Sequence, residues 1–230
     1  MKVLVTGGSG FLGRHLVPRL RARGHEVLVP RSAELDLTDG DQTRSWLGTH
    51  SPQAIVHGAA LYGGIAFTVR EPATLLFRNS LMAIQLFEAA VASGVERVIS
   101  IGSACAYPGA TSGDMREEAL WDGPLHPSVE AYGFSKRVQL VAQRACRDQF
   151  GLEGVHLAVT NLYGPHDAFD PDRSHVVGAM VRRFVQAVRE EVRQVTCWGD
   201  GSPVREFLYV TDAADAIVAV LELDGLISPL

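Results

Sequence analysis

Three glycines at three-residue spacing follow an apolar segment at the start of the chain, and they constrain the fold more than any other feature. Residues 2–6 are predicted to form a buried strand, Gly7, Gly10 and Gly13 come directly after it, and residues 11–23 have the leucine spacing of a helix. Such glycines let the backbone approach a diphosphate, and the helix N-terminus adds partial positive charge. The pattern therefore predicts a dinucleotide site. Pro18 is expected to kink or shorten the helix.

Strand-like and helix-like segments alternate along the rest of the chain. Strands are predicted at residues 26–29, 53–57, 97–101, 154–159, 194–198 and 205–210, and helices at residues 72–93, 130–150, 176–190 and 213–223. This alternation is typical of an α/β protein with a doubly wound parallel sheet, the Rossmann fold, in which ligands bind at the carboxyl ends of the strands. We therefore predict a single NAD(P)-binding domain over residues 1–230.

The composition of the chain limits which binding partners and which cellular compartment we expect. A chain of 230 residues that is 47% hydrophobic can fold around a full core without disulfides or metal. A net charge of −5 argues against a nucleic-acid partner. Cys105, Cys146 and Cys197 lack the spacing of a zinc site, and the first apolar run is too short for a signal segment or a membrane span. We expect a cytoplasmic protein without a metal site and without membrane attachment.

Tyr132 and Lys136 are four residues apart on a predicted helix, so they share one face of it. An ammonium group near a phenol makes the phenol easier to ionise, which is useful in acid/base chemistry. Among 21 basic residues only Lys2 and Lys136 are lysines, and arginine would be a poor substitute because its guanidinium is bulkier, planar and permanently charged. Alone, the pair is also compatible with two polar groups on the surface of an amphipathic helix.

The residues after the second predicted strand bear on which dinucleotide binds. An NAD site usually has an acidic residue there for the ribose 2′-hydroxyl, but this strand is followed by Arg31, with no acid before Glu34. Arg31 could pair with a 2′-phosphate, which favours NADP (NADPH) over NAD, or it could be an ordinary surface charge. Asp36 suits a hydrogen bond to the adenine amino group, and Asp39 is better placed as the N-cap of a further helix.

Several segments together resemble the extended short-chain dehydrogenase/reductase family, and within it the GDP-L-fucose synthase branch. The resemblance covers nearly the whole chain, residues 3–223. The glycine-rich start, the Ser103 segment and the Tyr132 segment are general to the superfamily, whereas Asn161 to Asp167 with His175 is particular to the branch. The matching segments are residues 5–10, 57–60, 63–64, 102–108, 132–136, 160–167, 174–176, 198–199 and 205–207.

The resemblance implies an NADP-dependent epimerase/reductase acting on a 4-keto-6-deoxy nucleotide sugar. Tyr132 would donate a proton to the carbonyl oxygen, Ser103 would hydrogen-bond that oxygen, and Lys136 would hold the nicotinamide ribose and lower the tyrosine pKa. Cys105 and His175 match the family's pair that removes and returns protons beside the ketone. Taken alone, Cys105 could instead be a small buried side chain, and His175 a residue packed at a helix start.

The resemblance also assigns residues to the cofactor and the substrate. Those expected at the cofactor are Gly7, Gly10, Phe11, Leu12, Gly13, Arg31, Asp36, Leu37, Ala59, Ala60, Lys136, Asn161 and Leu162. Those expected at the substrate are Asn161, Arg183, Trp198 and Arg205, through phosphate pairing and packing on the base or ribose. The alternatives are a turn cap for Asn161, a core position for Trp198, and a surface charge or salt bridge for the two arginines. Asp167 is interpreted as structural.

Two departures from the family pattern bear on the substrate. The family continues beyond the position of Leu230, so we expect a reduced C-terminal substrate lobe whose elements lie around residues 161–206. A truncated chain, a natural short form and a lobe supplied otherwise are all compatible with this. Tyr62 lies where the family usually has a smaller aliphatic side chain beside the sugar, which would fit a changed sugar or acceptor.

The partners and competing functions follow from the same resemblance. Residues 72–93 and 130–150 are expected to form the helix pair that commonly builds a homodimer seam in this superfamily. Two other functions remain open: another nucleotide-sugar epimerase or ketoreductase of the family, and a non-catalytic dinucleotide-binding subunit.

Overall fold

The computed structural model describes residues 1–110, 113, 115–170, 173–197 and 199–223. A five-stranded parallel sheet in the order β2-β1-β3-β4-β5 forms its centre. The strand order reverses between β1 and β3, and in doubly wound sheets the ligand cleft lies at the carboxyl ends of the strands beside such a reversal. The predicted fold class is confirmed. The strands are β1 Lys2–Thr6, β2 Glu26–Leu28, β3 Ala54–His57, β4 Arg97–Ile101 and β5 Glu153–Leu157.

Helices cover both faces of this sheet, because each strand leads into a helical connection to the next. The two longest, α4 and α5, pack against each other. The helices are α1 Phe11–Ala22, α2 Gly40–His50, α3 Ile65–Arg70, α4 Pro72–Ala92, α5 Glu130–Phe150, α6 Val176–Arg189 and α7 Val210–Glu222, with short 3₁₀ turns at Ala104–Ala106 and Glu117–Trp121.

Alternate residues of the central strands supply the two halves of the core. Val3 and Val5 of β1 face one side and pack with α1 and α7, whereas Leu4 faces the other side and packs with α2 and α4. The strands therefore read as continuous apolar runs, since both of their faces are buried. Leu16 and Leu20 anchor α1 in the first half of the core.

A smaller unit follows the central sheet along the chain. Strands β6, Asn161–Tyr163, and β7, Phe207–Tyr209, pair in parallel, and α6 lies between them in sequence. A hydrogen bond between the His15 imidazole and the Pro165 carbonyl (2.8 Å) ties the segment after β6 to α1. This contact brings the predicted substrate-side residues to the same region as the glycine loop.

Three local predictions differ from the structure. The strand predicted at residues 194–198 is wrong over residues 194–197, which are mostly exposed and pair with no strand within the described part of the chain; Trp198 lies outside the described residues. β-branched residues alone do not make a strand without a partner to pack against. Pro18 does not interrupt α1, which runs to Ala22, because the buried Val17 and Leu20 on either side hold the helix against the sheet. Helix α3 was not predicted.

Among the described residues one helix, α4, is long and apolar enough to cross a membrane by length and composition alone. This is weak evidence, since core helices pass the same criterion. Leu75, Leu86 and Phe87 of α4 are buried, and Leu86 and Phe87 belong to the core under the sheet. Core packing thus accounts for one apolar face of the helix.

Candidate active site

The loop after β1 touches the loop after β3, which closes one wall of the cleft. Gly7 has a φ of +70°, and a Cβ on it would lie only 2.8 Å from the Ala59 nitrogen. The Thr6 hydroxyl accepts a hydrogen bond from the Ala59 N–H (3.2 Å) and bonds the His57 imidazole (2.8 Å). Only glycine fits at position 7 without strain, because the backbone is left-handed and the neighbouring loop is in contact.

The helix that follows presents its N-terminus to the cleft. Gly10 is the N-cap of α1, its N–H bonds the Gly7 carbonyl (2.9 Å), and the first turn contains no acidic residue. Phe11 and Leu12 are half-buried, and Gly13 is buried. Free backbone N–H groups and the positive end of the helix dipole make this a suitable anion site. The geometry fits the predicted diphosphate contact.

The residues predicted to contact the adenosine half lie after β2. Arg31 is exposed, and its backbone N–H is held by the Glu34 carboxylate (2.7 Å), so its side chain extends from an ordered turn. Asp36 is half-buried; hydrogen bonds from Thr38 lower its carboxyl pKa, and the positive charge of Arg78 adds to this. Leu37 is buried in the core beneath. Asp39 is the N-cap of α2, as predicted, since its side chain accepts from the Gln42 N–H.

Ser103 and Cys105 share a tight turn directly after β4. The Ser103 hydroxyl oxygen accepts a hydrogen bond from the Cys105 N–H (3.2 Å), which leaves the hydroxyl hydrogen for another acceptor. Helix α5 presses against this turn at Gly133, where a Cβ would lie 2.1 Å from the Cys105 carbonyl oxygen. Gly133 therefore sets how closely the helix that contains Tyr132 approaches Cys105.

Lys136 is nearly fully buried, and its ammonium group is tied to the end of β4. It donates hydrogen bonds to the Ile101 carbonyl (2.8 Å) and to Gln139 Oε1 (3.3 Å). Burial lowers its pKa to about 8, and the thiol of Cys105 acts in the opposite direction. The structure thus places the ammonium at the carboxyl edge of the sheet rather than on a solvated helix face.

Tyr132 lies beside Lys136, but the expected effect of the lysine on the phenol is not present. The Lys136 nitrogen is 5.7 Å from the centre of the Tyr132 ring. Burial raises the pKa of the phenol well above its ordinary value, and Cys105 and Tyr62 add to this, although the side chain keeps partial exposure. The net shift is opposite to the lowering that was predicted, because burial is its largest cause and the charge of Lys136 is not among its causes. A neutral phenol is nevertheless the form that donates a proton.

His175 lies at the start of α6. It is the N-cap residue of α6, and within the described residues its side chain makes no capping hydrogen bond. Its imidazole stacks on the ring of Tyr62, with centroids 5.8 Å apart and planes at 16°. The guanidinium of Arg173 also lies over the Tyr62 ring, at 5.7 Å. Tyr62 thereby joins the segment after β3 to the start of α6.

Asp167 lies close to the same helix start. Its side chain is buried, Oδ1 accepts from the Ala168 N–H (2.7 Å), and Oδ2 has no hydrogen-bond partner within the described residues. Burial raises the pKa of this carboxyl, while the Ala168 N–H and His175 act to lower it. A buried carboxylate without a second partner is costly to the fold.

Three of the residues predicted to bind the substrate make hydrogen bonds within the smaller unit that follows the central sheet. The Asn161 side chain donates to the Glu206 carbonyl (2.9 Å), Arg183 donates to the Thr196 carbonyl (3.0 Å), and Arg205 donates to the carbonyl of its neighbour Val204 (2.8 Å). Arg205 is exposed, whereas Arg183 is half-buried, and Leu162 is half-buried in β6. Trp198 lies outside the described residues.

Two further histidines are buried just below the cleft. His57 ends β3 and His156 lies in β5, where it bonds the Ser100 hydroxyl (2.8 Å). Burial lowers the pKa of each to about 3, and the nearby Lys136 adds to the shift. Both imidazoles are therefore neutral structural groups at neutral pH. No group of three or more His, Cys, Asp or Glu side chains suited to a metal ion occurs in the described part of the chain.

Several contacts on which the site depends were not predicted from the sequence. Gly133 sets the distance between α5 and Cys105, and the Gln139 side chain accepts a hydrogen bond from the ammonium of Lys136. Gln139 is three residues after Lys136 on a helix, so its position was readable from spacing. The stacking of Tyr62 on His175 depends on tertiary packing and had no local signal. The same holds for the Asp167 oxygen, which has no hydrogen-bond partner in the described part of the chain.

The geometry can be compared with known proteins. Residues 3–227 match the NAD dependent epimerase/dehydratase family. GDP-L-fucose synthase from Sinorhizobium fredii is 36% identical over 221 residues, which are 96% of this chain and 70% of that protein. GDP-L-colitose synthase from Yersinia pseudotuberculosis is 31% identical, over 94% of this chain and 71% of that protein.

A solved structure extends the comparison. The crystal structure of a GDP-L-fucose synthetase from Naegleria fowleri bound to NADP superposes with a TM-score of 0.84 and 27% sequence identity. The match covers 95% of this chain and 72% of that one. Similarity in both sequence and fold therefore extends over nearly all of this chain.

Proposed function

The chain belongs to the NAD dependent epimerase/dehydratase family, and from this premise we propose that it epimerises and reduces a GDP-linked 4-keto-6-deoxy sugar. It is an extended short-chain dehydrogenase/reductase of the GDP-L-fucose synthase-like type. The observation that carries the proposal is the convergence of Ser103, Cys105, Tyr132 and Lys136 at the carboxyl ends of the central strands. This cleft is where doubly wound sheets bind their ligands.

The cofactor proposal is NADPH, held between the glycine loop and Lys136. The left-handed Gly7 in contact with Ala59 and the acid-free N-terminus of α1 fit a diphosphate. When bound, NADPH supplies the hydride that reduces the ketone carbon. We propose NADPH over NADH because Arg31 is exposed after β2 and can pair with a 2′-phosphate. Arg31→Ala should then reduce the preference for NADPH over NADH about tenfold or more, and an unchanged preference would exclude this role.

In the reduction, side chains of the protein donate the proton and stabilise the charge that remains. The neutral phenol of Tyr132 donates its proton to the ketone oxygen, and the resulting phenolate is stabilised by the nearby ammonium of Lys136. Ser103 already accepts the Cys105 N–H, so its own hydrogen is free to bond the substrate oxygen. The raised pKa of Tyr132 keeps the proton on the donor until the oxygen gains negative charge.

In the epimerisations, Cys105 and His175 exchange protons at the carbons beside the ketone. One side chain removes a proton from carbon 3 or 5, and the ketone accepts the electron pair as an enolate. The other returns a proton on the opposite face, so each carbon changes configuration and no net oxidation occurs. Thiol and imidazole side chains are both groups that can act as general bases and general acids.

The remaining assignments complete the proposal. Residues 161–206 form the substrate side of a single domain, where Asn161, Arg183, Trp198 and Arg205 bind the nucleotide portion. The cofactor contacts include Phe11, Leu12, Asp36, Leu37, Ala60 and Leu162. A cytoplasmic location is supported by three cysteines that are all free, Cys105, Cys146 and Cys197.

We also propose a homodimer through the outer faces of α4 and α5. Phe77, Leu81 and Ile84 are exposed on α4 at helical spacing, and Phe134 and Val141 are exposed on α5. Such a contiguous apolar stripe on a soluble protein marks an interaction surface. Phe77→Glu should yield a monomer by sedimentation or light scattering, and an unchanged mass would exclude this seam.

The test of the proposed function uses GDP-4-keto-6-deoxy-mannose and NADPH in deuterated water. The wild-type protein should incorporate deuterium at carbons 3 and 5 and oxidise NADPH. Cys105→Ser should stop the incorporation, and Tyr132→Phe should stop the oxidation while incorporation continues. Undiminished incorporation in the Cys105 variant would exclude Cys105 as the group that exchanges the proton, and a wild-type protein that incorporates no deuterium would remove the epimerase assignment. A reduced product with unchanged carbons 3 and 5 would instead favour a simple ketoreductase.

A further inference from the structure

Tyr62 joins the two halves of the proposed site, and no step described so far uses it. We propose that Tyr62 is a positioning residue whose ring fixes the orientation of the His175 imidazole for the proton transfers at carbons 3 and 5. The inference rests on the proposed function, because it deepens the role of His175 in that reaction. Its evidence is independent of the family resemblance, since it depends on contacts in this structure.

The rings of Tyr62 and His175 form an aromatic stack. The Tyr62 and His175 rings lie nearly parallel, at 16°, with centroids 5.8 Å apart. Offset stacking is a preferred geometry for aromatic pairs, so the contact restrains the ring of His175 as well as its position. His175 sits at a helix start, and within the described residues its side chain makes no capping hydrogen bond. The Tyr62 ring is therefore a principal restraint on the imidazole.

Tyr62 is itself held in place from two sides. The buried side chain of Asn79 on α4 accepts from the Leu61 N–H (2.8 Å) and donates to the Leu61 carbonyl (2.9 Å). These two hydrogen bonds fix the backbone immediately before Tyr62. The Arg173 guanidinium packs over the Tyr62 ring at 5.7 Å. Because both the backbone and the ring are restrained, Tyr62 can transmit a fixed position from α4 to His175.

Tyr62 also lies within electrostatic range of the proton donor of the reduction. It is among the groups that raise the pKa of the Tyr132 phenol, after burial and Cys105, while its ring contacts His175. Tyr62 therefore links the proton donor of the reduction to one of the two groups of the epimerisation. A misplacement of reacting groups by about 1 Å can lower the rate about a hundredfold, so the position of this ring should matter for the reaction.

The experiment compares Tyr62→Leu, which removes the ring, with Tyr62→Phe, which keeps it. Deuterium incorporation by the leucine variant should fall about tenfold or more. NADPH oxidation with a 4-keto sugar that already has the product configuration at carbons 3 and 5 should fall by less than about threefold. Tyr62→Phe should restore most of the incorporation. Phe150→Leu, at the exposed far end of α5, is the matched loss of an aromatic ring and should change neither rate.

The outcomes that overturn the proposal are distinct. Wild-type incorporation in Tyr62→Leu would show that the ring is not needed, and an equal loss in Tyr62→Phe and Tyr62→Leu would assign the effect to the hydroxyl. An equal fall in both rates would indicate a general structural role. A wild-type protein that exchanges no deuterium would refute the proposed function and with it this role in catalysis.

A second measurement does not require turnover. The Tyr62 ring current should shift the ring-proton NMR signals of His175 in the wild-type protein and in Tyr62→Phe, and the shift should disappear in Tyr62→Leu. Identical His175 signals in all three proteins would exclude the stack, whatever the activity shows.

Discussion

The neutral histidines beneath the cleft predict a steep loss of stability in mild acid. His57 and His156 are buried, and burial lowers the pKa of each to about 3. In the unfolded chain an imidazole has a pKa near 6.5. The folded pKa therefore lies below the unfolded value, so the contribution of each histidine to stability is present above pH ~6.5 and is lost as the pH falls toward 3.

The magnitude follows from the protons taken up on unfolding. Between pH 7 and pH 5 an unfolded imidazole changes from about one quarter protonated to almost fully protonated, while the folded imidazole stays neutral. Each histidine should thus reduce the free energy of unfolding by about 2 kcal/mol over this interval, and the pair by about 4 kcal/mol. For a domain whose total stability is about 5–15 kcal/mol, this is a large fraction.

The hydrogen bonds explain why the fold cannot accept the proton at low cost. The Thr6 hydroxyl accepts the Ala59 N–H and bonds Nδ1 of His57, and a positive charge on this buried ring is costly because burial disfavours the charged form. A charged imidazole would disturb the contact that joins the carboxyl ends of β1 and β3 at the glycine loop. Acid should therefore loosen the cofactor side of the cleft before the whole domain unfolds.

Urea unfolding at pH 7 and pH 5 measures the effect. Because other groups also titrate, the informative quantity is the difference between the two pH values, compared among variants. His156→Gln should reduce this difference by about 2 kcal/mol, whatever its stability at pH 7, and His57→Gln should do the same. The exposed His126 supplies a control, and His126→Gln should leave the difference as in the wild type. Equal pH dependence in the wild type and both buried-site variants would refute the reasoning.

Three shorter predictions test other contacts. Gly133→Ala should destabilise the fold by about 1–3 kcal/mol in urea unfolding, because its Cβ overlaps the Cys105 carbonyl; a change below about 0.5 kcal/mol would contradict the contact. Asp167→Asn should raise the melting temperature at pH 7, because burial raises the pKa of this carboxyl and the protein loses stability as the carboxyl ionises with rising pH. The gain in the free energy of unfolding should be about 1 kcal/mol per unit of pKa shift. It should vanish below pH ~4, where the carboxyl is protonated in both the folded and the unfolded state. Gly7→Ala should weaken NADPH binding by about 1–3 kcal/mol in calorimetry, since its φ is +70°, and unchanged affinity would show that the loop tolerates a side chain.

The sequence predicted the layers of this fold well, because its signals are local and periodic. The strand at Arg97–Ile101 and the helix at Glu130–Phe150 have the predicted bounds, and Asp39 caps α2 as expected. The strand predicted at residues 194–198 is wrong over residues 194–197, because a strand needs a partner that local propensity cannot supply.

The site was predicted less completely, because its properties depend on burial and on distant contacts. Spacing correctly indicated that Tyr132 and Lys136 are neighbours, but it did not show that burial raises the phenol pKa. The contact between Tyr62 and His175 joins positions far apart in the sequence, so only the folded chain reveals it.

The central claim is that the phenol of Tyr132 supplies the proton when NADPH reduces the ketone. Its most direct test is the rate of NADPH oxidation in a single turnover with GDP-4-keto-6-deoxy-mannose, measured for the wild type and for Tyr132→Phe at saturating cofactor. We predict a rate about a hundredfold to ten-thousandfold lower in the variant, with NADPH affinity changed by less than about threefold. A variant that oxidises NADPH at nearly the wild-type rate would contradict the account.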